Sequence, residues 1–412
     1  MNNKRLFFYI NLFILILLSH SCNYSDRKGG MCDTIGSNKA ELPQQDTSIS
    51  RTIPFVYDNS TISFNAILND SISGEFIFDS GLTTSFSILA KIFSDLHRFS
   101  ILSTKPERFY GVGNRQTLPV IERLIDTEIF GNKRKAQFGI LNLGCGDEDR
   151  YAGVLNVHIF KDSIVEFDFK NKLIKFHKYF SDKSYNKINI IQRGNVKLIE
   201  VDVCISKTFK KKGLFILDTG YKGFLYYFAN NNQFSELSAN PKAKRILGVA
   251  NFDKPIDAYS LKIPSVSIDG LEVLYPTINF GRVKLPNEAK DVVMGLVGNK
   301  FFDRFNFVID FKRNILYLKQ LYETADSCKS SLGITFSTSK SFKRTRSIIE
   351  NSDAHKAGLI PCDIVSKINN ICVKDYSGLG LDSLLYEFEV VNKPIVMECI
   401  RKDRTFAVTL RK

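Results

Sequence analysis

FIFDSGLTTSF, residues Phe76–Phe86, is a short apolar strand that runs into Asp-Ser-Gly, and FILDTGYKGF at Phe215–Phe224 repeats the pattern. One acid after an apolar run is common. Two copies, each with a small hydroxyl residue and a glycine behind the acid, point to paired carboxylates built by a duplicated unit. The flanking sequence carries the duplication outward, from about Ile53 to Lys178 in copy one and from about Asn195 to Lys319 in copy two. Each copy begins with two alternating apolar stretches, TISFNAIL and GEFIFD in the first, LIEVDVCI and GLFILD in the second. That is a hairpin pattern with the acid closing its second strand.

The copies also end alike, in GVLNVHIFKDSIVEFDFKNKLIKFHK from Gly153 and GLVGNKFFDRFNFVIDFKRNILYLKQ from Gly295. Asp79 precedes Gly153 by 74 residues and Asp218 precedes Gly295 by 77. The next shared acid, Asp168 or Asp310, follows its glycine by 15 in both. Order and spacing agree through the whole unit. Paired D-[ST]-G strands, each followed by an apolar-apolar-Gly element and a closing hairpin, resemble the two-lobed aspartic proteases. The short lobes look most like the retropepsin-like lobes fused in tandem in bacterial aspartyl proteases.

The resemblance implies a mostly β chain of two tandem lobes with Asp79 and Asp218 as the catalytic pair. Two like charges at close range cannot both ionise easily, so such a pair holds one proton between them. The ionised member takes a proton from water while the protonated member hydrogen-bonds the substrate carbonyl. Ser80 and Thr219 are then expected to hydrogen-bond across the lobes. Gly81 and Gly220, without side chains, let backbone N–H groups approach the carboxylates. Copy one reads GVLN, with Asn156 where copy two has Gly298, and Asn tolerates a positive φ better than most residues. FYGVGNRQ at 109–116, with Tyr110, Gly111 and Gly113, and ILGVANFD at 246–253, with Gly248, fit flap hairpins that exclude water. They fit plain Gly-rich hairpins as well. Tyr221 and Lys222 depart from the small residues usual after the second acid. For one copy, a strand-end Asx-type cap would explain the acid; the matched pair favours catalysis.

Other hydrolytic machinery has no footing in the sequence. There is no HExxH or GxSxG, and of the five histidines His20 falls in the leader while His158 reads as a turn or partly buried residue. No metal and no cofactor are expected. The loop DEDR at 147–150 reads as solvated.

After Lys319 the pattern changes. SLGITF, and the run SDAHKAGLIPCDIVSKIN from Ser352, resemble a PDZ domain of the bacterial protease-associated type. In such a domain Leu332, Gly333, Ile334, Thr335 and Phe336 receive a C-terminal peptide, whose carboxylate meets backbone N–H groups while its chain adds a strand. LDSLLYEFEV at 381–390 would be the helix beside that groove, or simply an amphipathic core helix. Cys362 stands where such domains commonly have glycine, and a left-handed turn there is strained.

At 412 residues, with 44% hydrophobic and 24% charged residues, the chain is long enough for two or three globular domains. Its start is different: Lys4 and Arg5 precede an apolar run from Leu6 to Leu18 and then Ser21-Cys22. This suits a secretory signal better than a membrane span. The ending resembles a bacterial lipoprotein signal with Cys22 lipidated, though Leu18 sits one place further back than that signal's usual leucine; an ordinary cleaved signal is the other reading. The formal charge of +14 comes from scattered basic residues, which points away from nucleic acid and is compatible with an acidic lipid surface. The run KTFKKKG at 207–213 is expected in a hairpin turn. None of the eight cysteines forms a CxxC pair, so burial as small hydrophobes is the expectation for most.

The expected organisation is a signal at 1–22, a flexible tether at 23–50, lobes at 51–180 and 181–325, and a small α+β PDZ domain at 326–412. The expected activity is an exported, lipid-anchored aspartic endopeptidase of the cell envelope, with peptide or protein substrates and a C-terminal peptide ligand. The alternative is a pseudo-protease that binds peptides without cutting them.

Overall fold

Alternating apolar residues from Ile49 onward make strands rather than helices, and their pairing repeats. The structure, a computed structural model, describes residues 49–82, 84–111, 114–144, 149–248, 257–283, 292–321, 332–337, 339, 342–376 and 378–410. The first half begins with β1 (Ile49–Pro54), β2 (Val56–Asp58), β3 (Thr61–Leu68), β4 (Ile72–Asp79) and β5 (Ser87–Ala90). It continues through β6 (Thr104–Gly111), β7 (Asn114–Ile121), β8 (Ile125–Ile129), β9 (Asn132–Ala136) and β10 (Phe138–Leu141). It closes with β11 (Gly153–Asn156), β12 (Ile164–Asp168) and β13 (Leu173–His177).

The second half opens with β14 (Asn186–Asn189), β15 (Ile191–Arg193), β16 (Val196–Cys204), β17 (Lys210–Leu217) and β18 (Leu225–Phe228). Next come β19 (Lys244–Gly248), β20 (Ala258–Lys262), β21 (Ser265–Ile268), β22 (Leu271–Leu274) and β23 (Thr277–Gly281). It ends on β24 (Val293–Val297), β25 (Phe305–Asp310) and β26 (Ile315–Gln320).

In the first half the strand order is β9-β8-β3-β4-β11-β5-β10-β7-β6; in the second it is β22-β21-β16-β17-β24-β18-β23-β20-β19. Position by position the two paths coincide. Even the parallel steps match: β4 with β11 and β5 with β10 in one, β17 with β24 and β18 with β23 in the other. Parallel neighbours need a long crossover, and in each half the intervening strands supply it.

A third sheet joins the halves, in the order β1-β13-β12-β25-β26-β14. It is symmetric about the antiparallel seam of β12 and β25, where Val165 lies opposite Ile309 and Phe167 opposite Phe307. The second shared acid of each repeat belongs here and shapes a turn. Asp168 accepts from the Asn171 N–H, and Asp310 from those of Lys312 and Arg313, the Asx-type role. Phe167 stacks on Phe307 (centroids 4.6 Å apart) and on Phe78 (5.1 Å), just ahead of Asp79. With 34 Phe and no Trp in the chain, the core fills with rings that bring no polar tip needing a partner.

The C-terminal unit has its own apolar core, including Leu332, Ile348, Val365, Leu385 and Met397. Its strands are β27 (Ile334–Phe336), β28 (Lys343–Ile349), β29 (Ile364–Ile368), β30 (Ile371–Cys372), β31 (Ile395–Arg401) and β32 (Arg404–Leu410), with a helix at Gly378–Val390. β28 pairs with β27 and β29, and also with β19 of the second half. The unit is stitched onto the duplicated body.

Two expectations change. Lys210–Lys212 are exposed residues inside β17 rather than in the turn, because the chain reverses at 205–209. Cysteine burial is uneven among the described residues: Cys399 is buried, Cys204 half-buried and Cys372 exposed, all three free, while Cys362 is disulfide-bonded.

Because Phe167 sits between both halves, Phe167→Ala should destabilise the whole body by about 3–5 kcal/mol in a chemical denaturation series. A loss confined to one half, seen as a split transition, would contradict a shared core.

Candidate active site

Asp79 is the last residue of β4, and Asp218 follows the last residue of β17. Both strands are held from beneath by the apolar-apolar-Gly elements; the Asp218 N–H donates to the Val297 carbonyl at 2.9 Å. Gly153 and Gly295 are required there. A Cβ on Gly153 would strike the Ile88 carbonyl of β5, and one on Gly295 the Tyr226 carbonyl of β18.

The two acid loops meet face to face. Oδ1 of Asp79 accepts from the N–H groups of Gly81 (2.7 Å) and Leu82 (3.0 Å). Oδ1 of Asp218 accepts in the same way from Gly220 (2.9 Å) and Tyr221 (3.0 Å). Each carboxyl packs against the glycine of the opposite acid loop, and neither Oδ2 has a hydrogen-bond partner among the described residues. Gly81 and Gly220 do more than admit N–H groups: a Cβ on either would fall on the carboxyl of the opposite half. Ser80 Oγ donates to the Leu217 carbonyl (2.8 Å) and accepts from the Thr219 N–H (2.9 Å). Thr219 Oγ1 donates to the Phe78 carbonyl (3.2 Å) and accepts from the Ser80 N–H (2.9 Å). The brace is reciprocal.

Burial governs the electrostatics. Asp79 is 1% exposed and Asp218 0%. Loss of hydration pushes the Asp79 carboxyl up to about 6, against the N–H bonds from Gly81 and Leu82. Asp218 is driven well above the usual carboxylate range, first by burial and then by the neighbouring Asp79 charge. The pair therefore retains a proton well above the pH at which an isolated carboxyl loses it.

The departures from the repeat have local causes. Asn156 is extended within β11 rather than left-handed, and its amide donates to the carbonyls of Leu82 and Thr84 under the first acid loop. Gly298, its counterpart, leaves room for the carbonyls of Tyr221 and Gly223. Tyr221 points away from the acids into the second half's core, where its hydroxyl accepts from Asn279 at 3.0 Å. Lys222 is also fully buried.

The flap candidates fare differently. β6 and β7 form one regular hairpin from Thr104 opposite Ile121 to Gly111 opposite Asn114; Gly113 and the side chain of Tyr110 lie outside the described residues. Gly248 is set into a sheet, opposite Ser347 of β28, so the second hairpin has its β19 edge covered where a symmetric flap would leave it open. In the C-terminal unit Leu332 is buried, Gly333 has φ +70° and accepts from the Ile349 N–H, and Ile334–Phe336 form β27. Thr335 Oγ1 and Ser347 Oγ are 2.6 Å apart. Cys362 adopts the strained left-handed turn, at φ +74°.

Sequence reasoning missed three residues. Arg150, read as solvated, is mostly buried against Asp58 and Glu75. Asn59 and Asn299 fall outside the repeated motifs, and only an asparagine directly after GLVG hinted at the second. By sequence the chain matches no protein family and no curated protein. Among solved structures it is similar to an aspartic proteinase from Irpex lacteus, at 14% identity and a TM-score of 0.43, over 67% of this chain and 99% of that one. A likeness of that size has no bearing on chemistry.

Gly81→Ala should abolish any activity of the pair, since the new methyl group displaces the Asp218 carboxyl. Activity retained to within about threefold would contradict the close approach. The raised carboxyls also fix a pH dependence. Protons held more tightly in the folded than in the unfolded chain stabilise fully below about pH 4, and that contribution is lost as pH rises through about 6. Relative to Asp79→Asn/Asp218→Asn, the wild type should lose stability between pH 4 and 7. A pH-independent difference in denaturation midpoints would contradict burial of the pair.

Proposed function

We propose that the chain is an aspartic-type endopeptidase. The observation that carries this reading is the meeting of Asp79 and Asp218 at equivalent ends of two matched strand paths, each Oδ1 satisfied by two N–H groups. In the proposed reaction the ionised carboxylate takes a proton from a water as its oxygen bonds to the peptide carbon. The protonated partner donates to the carbonyl oxygen, and the amide nitrogen leaves carrying a proton from the pair. Ser80, Thr219, Gly81 and Gly220 hold the two carboxyls in register, so the proton exchange needs little rearrangement.

The substrate class is peptide or protein. The C-terminal unit, read as a PDZ domain, recruits peptides through Leu332–Phe336, and Cys22 is a lipid anchor that holds the enzyme at a bacterial cell envelope. One observation favours a second reading. Both acids are closed to solvent in this conformation, as a peptide-binding pseudo-protease would tolerate; cleavage requires the site to open.

Asp79→Asn and Asp218→Asn should each lower kcat on a peptide library by at least about a thousandfold, and the double variant by little more, because the two groups act as one unit. Equal cleavage by wild type and double variant would place the activity elsewhere, and no cleavage by any form would favour the pseudo-protease. Cys22→Ala should release the protein from membranes; an unlipidated mature N-terminus in mass spectrometry would remove the anchor.

A further inference from the structure

We infer that Asn299 and the Asp58–Ser60 turn are positioning residues for the acid pair, tying its second loop to the C-terminal unit. That unit is then part of the catalytic support and not only a recruiter of substrate. The inference rests on the dyad reading above.

Asn299 is fully buried beside the second acid loop. Its side-chain amide donates to the Ser60 carbonyl at 2.9 Å and to the Thr219 carbonyl, while its own N–H donates to the Tyr221 carbonyl at 2.8 Å. One carboxamide thus joins the Asp218 loop to a turn of the opposite half. Tyr57 makes a parallel tie, its hydroxyl donating to Asp303 at 2.7 Å. The turn itself is stiff: Asn59 and Ser60 are both left-handed, at φ 48° and 55°, as in a two-residue hairpin turn matched to strand twist.

The other side of the turn meets the C-terminal unit. Gly333 and Ser337 bond toward β28 through Ile349 N–H and the Arg344 carbonyl, so by alternation Ile334 and Phe336 face the opposite edge of β27. There the Asn59 amide donates to the Phe336 carbonyl at 3.3 Å. Nearby, Asp58 pairs with Arg150, and Ser339 Oγ donates to Asp149 at 2.7 Å. The matching turn of the second half is open at its glycine, where a Cβ on Gly194 would meet nothing within 4 Å. The duplication supplies the turn, and the C-terminal unit is what buries one copy of it.

A recruiting domain alters KM for long substrates and leaves short peptides untouched. A positioning link alters kcat on any peptide. The test uses the full chain, a short fluorogenic peptide, and Asn59→Gly, which keeps the left-handed backbone and removes only the amide; Asn299→Ala is the companion variant. Rates from acid to neutral pH are read beside an NMR titration of ¹³C-labelled aspartate carboxyls. The expected result is a kcat lower by about fivefold to tenfold with KM unchanged, the size of one or two lost hydrogen bonds, and a displaced titration of the pair. Wild-type kcat together with an unmoved titration would overturn the link. If Asn299→Ala fails to fold, Asn59→Gly alone decides. A wild type that cuts nothing defeats the dyad reading separately, and the titration then decides the link by itself.

Discussion

Two carboxyls buried side by side are the constraint on which the rest of this structure depends. Neither alone would be tolerated as an anion in such a place without strong compensation. Here four backbone N–H groups address the Oδ1 atoms, burial raises both carboxyls so that the pair gives up its protons late, and two glycines allow each half to touch the other's carboxyl. The Ser80–Thr219 exchange makes the arrangement reciprocal, so neither loop can move without breaking bonds in its counterpart. Such a site needs two strand ends aimed at one another, which a duplicated unit provides with a single piece of topology.

The joining sheet sets that aim. β12 and β25 meet on a near-symmetric seam, and Phe167 stacks on both Phe78 and Phe307, linking the seam to the strand that ends at Asp79. Packing of this kind transmits displacement because protein interiors have little free volume. The same rigidity explains why the C-terminal unit matters to the site although its own core is separate. It contacts the body through β28 on β19 and through the buried 58–60 turn.

Much of this was legible in the sequence because it is periodic or repeated. Asp79 and Asp218 announced themselves by recurrence, the hairpins by alternation, and Gly153 and Gly295 by equal spacing to a later acid. What repetition cannot reveal is asymmetry. Asn299 has Val157 as its counterpart, so comparing the copies erased it. Asn59 and Arg150 gain their roles from contacts far along the chain, with Phe336 and with Asp58. The sequence around Gly248 fits a flap or a plain Gly-rich hairpin equally, and only the structure shows that β28 pairs along its β19 edge. Asn156 was expected to need a left-handed backbone; its value lies in a side-chain amide that supports the first acid loop in place of a close backbone approach.

The central claim is that Asp79 and Asp218 act on one substrate bond together. Its most direct test is a crystal structure of the full chain with a peptide whose scissile amide is replaced by a secondary alcohol, a mimic of the tetrahedral state that an enzyme of this kind binds most tightly. The account predicts the alcohol oxygen between the two carboxyls, within hydrogen-bonding distance of both Oδ2 atoms, with the peptide backbone extended through the space between the two halves. A peptide bound with its alcohol away from the pair, or bound only at β27, would contradict it.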